Sequence, residues 1–367
     1  MQFLTPPTLF PIPIRTYKVK ENQKYRGSRG MEQSRESESK GYFFSFLFPF
    51  PFTHHLIGKF IMNAAVKNSP GLASQLVNGI LAIKPIADIA KHQARQMMIK
   101  RAEKIGVAWR QEVETLKQHN WEGELAEVEN PQLNYPDYYL TSFHAYEKGN
   151  MSWDAAWEVE VAARAVHAKI WQGAGAKGDA KLRYSYHHIL KEQLKTPPQD
   201  ILDLGCSVGM STFALQALYP EAKLTGVDLS PYFLAVAHYQ AQKREANINW
   251  VHAAAETTGL QSSSFDLVSI FLVCHELPQI PTKQIFAEAR RLLRPGGHLA
   301  IMDMNPKAEA FLKMPPYILT LLKSTEPYLD EYFSLDIQQA LVEVGFHTPT
   351  ITPNSPRHRT VIAQVSD

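Results

Sequence analysis

The sequence predicts an α/β fold whose second half is a parallel sheet covered by helices on both faces. After residue 199, short apolar runs alternate with helix-patterned segments, the order that produces such a sheet. The run ILDLG (201–205) is followed at once by the glycine-bracketed turn GCSVG (205–209) and a helix-patterned segment, placing a sharp backbone turn at a strand end. An apolar content of 45% and a charged content of 20% over 367 residues are ordinary for a globular chain that buries a sizeable core.

The elements follow in order. Residues 1–61 differ from the rest: they hold nine of the 18 Phe and nine Lys/Arg against four Asp/Glu, so the remaining chain is slightly acidic. Their apolar run GYFFSFLFPFPF (41–52) is broken by Pro49 and Pro51 and is shorter than the roughly 18 residues a membrane span needs. It also lies too far from the N-terminus for a secretory signal. Met62 opens a stretch typical of a protein start. Residues 1–61 therefore read as a disordered leader or an over-extended start, with an organelle transit peptide as the alternative. Cys206 and Cys274 are too few for a disulfide framework and fit a reducing compartment, so the expected location is the cytoplasm.

Residues 62–180 read as a helical extension or cap. Between 72 and 119, Ile86, Ile89, Ala90, Met97, Ala102, Ile105 and Trp109 recur at helical spacing, while Lys91, Arg95, Lys100, Arg101 and Lys104 line the other face. That face reads as solvated, with peripheral membrane contact as the second reading. An aromatic link (130–150) with Pro131, Pro136 and Gly149 follows, then a helix over 153–171. Tyr135, Tyr138, Tyr139, Phe143, Tyr146 and Trp153 either roof a ligand or pack a cap on the core. The paired histidines His54-His55 and His187-His188 lack partners at metal-ligand spacing and read as structural.

In residues 181–367 the expected strands are 201–205, 223–230, 247–255, 264–273 and 298–304. The helices between them are 210–220, the segment capped by Ser230-Pro231, and 281–297, ended by Pro295 and glycine. Ligands of such sheets bind beyond the carboxyl ends of the strands, where strand order reverses. The loop after 205 lacks the lysine of a phosphate-cradling loop, and Ser207 and Met210 break the dinucleotide pattern. What remains is Asp203, suited to a cationic group, and Asp228, 23 residues after Gly205 and placed to bind a ribose diol. Gly209 is expected to let the chain approach a ligand, with the N–H groups of 207–211 facing it.

Taken together, DLGCSVG (203–209), GVDLS (226–230), HAAAE (252–256), FDLV (265–268) and RLLRPGG (291–297) resemble, in order and spacing, the motifs of class I S-adenosylmethionine-dependent methyltransferases. The resemblance is to the broad type 11 group that includes quinone-biosynthesis methyltransferases. It implies a seven-stranded Rossmann-like sheet ending in an antiparallel hairpin, for which 348–353 and 360–365 are suited after a helix over 334–346. It implies S-adenosyl-L-methionine as cofactor, with Asp203, Gly205, Cys206, Ser207, Gly209, Asp228, Leu229, Ala255, Glu256 and Leu272 around it. Ser207 replaces the usual middle glycine, and Ala254 stands where many relatives have an acid for the adenine amino group.

The expected activity is methyl transfer to a small, hydrophobic acceptor, with His275 as the candidate general base. The apolar insert 307–333 is the candidate substrate lid by the same resemblance. No sequence feature requires a metal, and the acidic body disfavours a nucleic-acid partner. Two other readings stay open: a catalytically inactive S-adenosylmethionine-binding partner or regulatory protein, and a nicotinamide-dependent oxidoreductase on a related sheet. Oligomeric state is not legible in the sequence.

Overall fold

The computed structural model describes residues 84–141, 146–323 and 325–366. Residues 1–61, the Met62 start, His54-His55 and Phe143 lie outside the described residues, as do the side chains of Ile86, Ile89 and Ala90.

The helices before the sheet are α1 (Lys84–Lys104), α2 (Trp109–Lys117), α3 (Glu122–Val128), α4 (Trp153–His167) and α5 (Gly178–Gln193). The sheet region runs β1 (Asp200–Leu204), α6 (Met210–Leu218), β2 (Lys223–Asp228), α7 (Pro231–Lys243), β3 (Ile248–His252), β4 (Phe265–Phe271), α8 (Gln279–Leu292) and β5 (Leu293–Met304). It closes with the short helices α9 (Glu309–Leu312), α10 (Pro316–Lys323), α11 (Leu329–Ser334) and α12 (Ile337–Glu343), then β6 (Thr350–Pro353) and β7 (His358–Gln364).

The seven strands lie in the order β3-β2-β1-β4-β5-β7-β6. The first five are parallel, and β7 runs antiparallel to both β5 and β6. Strand order reverses between β1 and β4, so the crevice beyond the carboxyl end of β1 is where a ligand of this sheet belongs.

Neighbouring residues of β1 feed opposite faces of the sheet, as the two-residue period demands. Leu202 and Leu204 join Val268, Ile270 and Ile301 under α8 and α12. Ile201 joins Leu267, Ala300 and Ile362 under α5 and α6, where Leu182, Leu190 and Leu215 cover them. Each fully buried leucine contributes about 1.5–3 kcal/mol relative to exposure.

Three expected elements changed shape. The 72–119 helix breaks at Gly106, which has φ +87, and resumes at Trp109. The helix expected to stop at Pro295 ends at Leu292, and Leu293 already pairs with Phe265. The helix expected over 334–346 is shorter, Ile337–Glu343, because Asp336 caps its start by accepting the Gln339 amide at 3.1 Å. Ser230 caps α7 as expected, accepting the Phe233 amide.

The N-terminal helices pack against the sheet domain, with Trp121, Val128 and Ala155 buried against Phe233 and Leu234. The helix α5 begins at Gly178 and runs through the expected 180/181 boundary. Arg95, expected on a solvated face, donates through Nε to Glu158 Oε2 at 3.0 Å, and Glu158 is only 1% exposed. Among the described residues no helix is long and apolar enough to cross a membrane.

Candidate cofactor and methyl-transfer site

Gly205 and Gly209 shape the loop between β1 and α6. Their φ values are +73 and +83, which L side chains rarely adopt. Space forbids a side chain as well: a Cβ at Gly205 would lie 2.6 Å from Val273, and one at Gly209 would lie 2.8 Å from Phe213 and 2.9 Å from Trp250. The space a side chain at 209 would take is filled by these two aromatic rings.

Two of the five amides expected to face a ligand are engaged within the protein. Of the N–H groups from 207 to 211, Ser207 donates to Asp228 Oδ2 at 2.8 Å and Gly209 to the Cys206 carbonyl at 2.9 Å. Cys206 donates its own amide to Val227 and is 1% exposed, and burial pushes its thiol well above the usual range. It is a packing residue under the loop, with no group turned outward. Ser207 holds φ +50, a conformation that favours glycine. Ser207→Gly is expected to leave cofactor affinity within a factor of about 2. The left-handed strain it relieves, about 1–2 kcal/mol, is largely offset by the added freedom of the unfolded chain. Thermal melting and ligand titration of the variant check this.

Asp203 is 1% exposed at the end of β1. Its Oδ2 accepts the hydroxyls of Ser211 at 2.6 Å and Thr212 at 2.7 Å, while Oδ1 is buried without a partner. Burial raises its carboxyl to about 6 against the pull of those hydroxyls and of Arg183. Arg183, on α5, was not expected from the sequence. Its Nε donates to Asp179 at 3.0 Å, its guanidinium lies 4.4 Å from the Phe271 ring centre, and Nη1 is buried without a partner. It borders a cleft of about 350 Å³ that Asp179, His187, Val208, Met210 and Arg244 also line. Orphaned acceptor and orphaned donor together suit a ligand carrying both an ammonium and a carboxylate.

Asp228 ends β2 and is 7% exposed. Oδ1 accepts the Ser230 amide and Oδ2 the Ser207 amide, each at 2.8 Å. Both oxygens retain a second lone pair, and the two amides fix their direction. Burial raises this carboxyl to about 6, although the Ser230 and Ser207 amides oppose the shift. Beside it, Leu229 is buried with its carbonyl accepting from His252 Nε2 at 3.0 Å.

The turn 253–256 lies past β3, with Ala254 bridging to Thr257. Ala255 packs on the core, and Glu256 accepts the Tyr138 hydroxyl. The expected aromatic roof divides in two. Tyr135 and Tyr138 reach this end of the sheet; Tyr146 instead bonds Glu158, and Trp153 packs with Trp121 and Trp157.

At the end of β4, Leu272 holds φ +60 and its amide donates to the Met302 carbonyl at 2.8 Å. A branched side chain in this conformation stores about 1–3 kcal/mol, a strain that clusters at functional turns. His275 follows in a short turn and is 6% exposed. Its Nδ1 donates to Asp303 Oδ1 at 2.7 Å, and Asp303 also accepts the amides of His275 and Met304. Burial would lower the imidazole, but the Asp303 carboxylate overrides it and lifts His275 to about 10, with Glu326 and Glu276 adding. Asp303 thus shifts His275 upward, away from the near-neutral titration that the general-base expectation supposes. Tyr332, from α11, lies with its ring 6.4 Å from His275 and donates to the Met304 carbonyl at 2.8 Å. Among the described residues no cluster of three metal-ligating side chains occurs.

The sheet order and the glycine loop between Asp203 and Asp228 agree with the fold that the resemblance to class I S-adenosylmethionine-dependent methyltransferases implies. Residues 201–297 match the family described as methyltransferase domain. Over 104 residues the chain is 40% identical to malonyl-[acyl-carrier protein] O-methyltransferase of Hahella chejuensis, covering 28% of this chain and 35% of that one. Over 121 residues it is 32% identical to phthiotriol/phenolphthiotriol dimycocerosates methyltransferase of Mycobacterium leprae, covering 33% and 43%. The chain thus spans less than half the length of these two relatives. A crystal structure of a SAM-dependent methyltransferase from Aquifex aeolicus aligns at TM-score 0.39 and 19% identity, over 49% of this chain and 89% of that one.

Proposed function

We propose that this protein transfers a methyl group from S-adenosylmethionine to a small acceptor with a sizeable apolar part. The observation that carries the reading is the buried carboxylate pair flanking the glycine loop, one oxygen of Asp203 unpartnered and both oxygens of Asp228 oriented by amides. These residues fit the cofactor: Asp203 and Arg183 would hold its amino-acid end, and Asp228 its ribose. Leu229, Ala255 and Glu256 would meet the adenine end, and Leu272 would border the methionyl end. When bound, the cofactor supplies a methyl group already activated on a sulfonium.

The chain's own task is to align an acceptor with that group and exclude water. His275, protonated and oriented by Asp303, would donate from Nε2 to an acceptor oxygen and favour its ionised form. This role replaces general base, because a group lifted to about 10 already carries its proton at neutral pH. Supporting an apolar acceptor are Phe311 packed 5.3 Å from Phe333, buried Ile318 and half-buried Met314 in the expected lid. The two relatives named above, one for an acyl-carrier substrate and one for phthiotriol lipids, are consistent with it.

Calorimetric titration with S-adenosylhomocysteine, with NADH as control, tests the cofactor. Binding of the first alone is expected. Since Asp203 and Asp228 titrate near 6 and the charged forms attract the cofactor's cationic groups, binding near that pH should release protons and affinity should fall as the pH drops below it. Titrations in buffers of different ionisation enthalpy read the proton release directly. Turnover of labelled methyl donor on lipid and quinol extracts then separates an enzyme from an inactive binding protein.

A further inference from the structure

Residues 129–140 form a strap that follows α3, and one buried histidine ties it down. His252 is 4% exposed at the carboxyl end of β3, in register with Asp228. Its Nδ1 lies 2.8 Å from the Asn130 amide nitrogen. A backbone amide only donates, so Nδ1 must be the accepting nitrogen and the ring proton sits on Nε2. Nε2 in turn faces the Leu229 carbonyl at 3.0 Å and the Tyr135 hydroxyl at 3.3 Å. The partners thus fix both the tautomer and the neutral state. From this anchor the strap continues to Tyr138, which bonds Glu256, and to Tyr139, whose hydroxyl is held well above the usual range by burial and by the Asp228 and Glu276 carboxylates. It therefore runs across the end of the sheet where Asp228 and Glu256 lie.

Resting on the cofactor reading above, we propose that His252 is a positioning residue that latches this strap over the nucleoside end of the cofactor site, and that its protonation unlatches the strap and weakens cofactor retention in mild acid. A proton on Nδ1 would set one N–H against another, turning a hydrogen bond into a repulsion. The groups facing His252 are Glu129 and Tyr135 on the strap and, in register on β2, Asp228; Tyr232 on α7 acts on Tyr135, and α3, which also touches β3, directs Glu124 to His119 instead. Burial lowers the ring's affinity for protons, so the latch holds at neutral pH and is lost as the pH falls below the free imidazole value of about 6.5.

Asp228 titrates in the same range, so the test needs a variant that removes the His252 titration alone. In His252→Asn the side-chain carbonyl can accept from Asn130 at the place of Nδ1, and it does not titrate. Hydrogen exchange of the full chain without ligand, corrected for intrinsic rates, is measured for the strap at about pH 7.5 and about pH 5.5. Wild type is expected to lose about 10-fold of its strap protection on acidification, the worth of one hydrogen bond, while His252→Asn stays level. The S-adenosylhomocysteine dissociation constant should worsen about 10-fold more in wild type than in the variant over the same range. Equal pH dependence of strap exchange in both proteins overturns the latch. A wild type that does not bind S-adenosylhomocysteine at about pH 7.5 overturns the cofactor reading, and strap exchange still decides the latch by itself. His252→Ala should show weak strap protection at both pH values; full protection there also overturns the proposal.

Discussion

Asp228→Asn is expected to weaken S-adenosylhomocysteine binding by about 30- to 100-fold, equivalent to about 2–3 kcal/mol for a lost charged hydrogen bond. The carboxylate sits between two amides, Ser230 on Oδ1 and Ser207 on Oδ2. Replacing one oxygen by an NH₂ sets a donor against one of those donors and removes the charge that a diol would bond. Because Ser207 lies at the crown of the glycine loop, the change disturbs the loop as well as the ribose contact. Calorimetric titration at neutral pH gives the affinity, and a thermal melt separates loop damage from unfolding. Unchanged affinity in a variant that melts like wild type would remove Asp228 from the site and leave the fold without its ribose-binding acid.

Asp303→Asn is expected to cost about 3 kcal/mol of stability, the scale for stripping one partner from a buried ion pair. Asp303 is 1% exposed and accepts the His275 imidazole and two backbone amides. The pH dependence is the sharper reading. His275 binds its proton more tightly folded, at about 10, than the free imidazole does at about 6.5. The stabilisation this supplies is fully present below the lower value and is lost as the pH rises through the higher one. Wild type should therefore lose stability progressively between those limits. Asp303→Asn should lose most of that slope, because the carboxylate that overrides the burial of His275 is gone. Methyl-transfer rate should follow the same pattern, sustained through neutral pH in wild type and falling toward pH 10. A rate that climbs through about pH 6.5, as for an ordinary imidazole base, would restore His275 to the general-base role.

Much of this site was legible from local chemistry. Asp203, Gly205, Gly209 and Asp228 stand at fixed distances along the chain. Strand-turn-helix geometry is set by nearest neighbours: glycine supplies positive φ, and the turn follows the strand-end acid directly. Ser230-Pro231 was equally plain, because a cap needs only its own next turn. The parallel sheet was readable from the alternation of apolar runs with helices, since both faces of each strand must be buried.

Partners distant in sequence were not readable. Arg183 has no motif; it enters the proposed site only because α5 packs its guanidinium on Phe271. His275 was legible but its upward shift was not, because that depends on Asp303, 28 residues on and brought alongside by the pairing of β4 with β5. His252 looked like a residue of an adenine-side turn; the Asn130 amide that fixes its tautomer comes from 122 residues earlier. The glycine at 209 illustrates the same division. The sequence determined that a glycine was needed there, through the turn it makes. Only the tertiary structure decided what the missing side chain makes room for, because Phe213 and Trp250 converge on that spot from a helix and a strand that share no local pattern. Backbone conformation is a property of neighbours along the chain; proton positions, packing partners and orphaned charges are properties of neighbours in space.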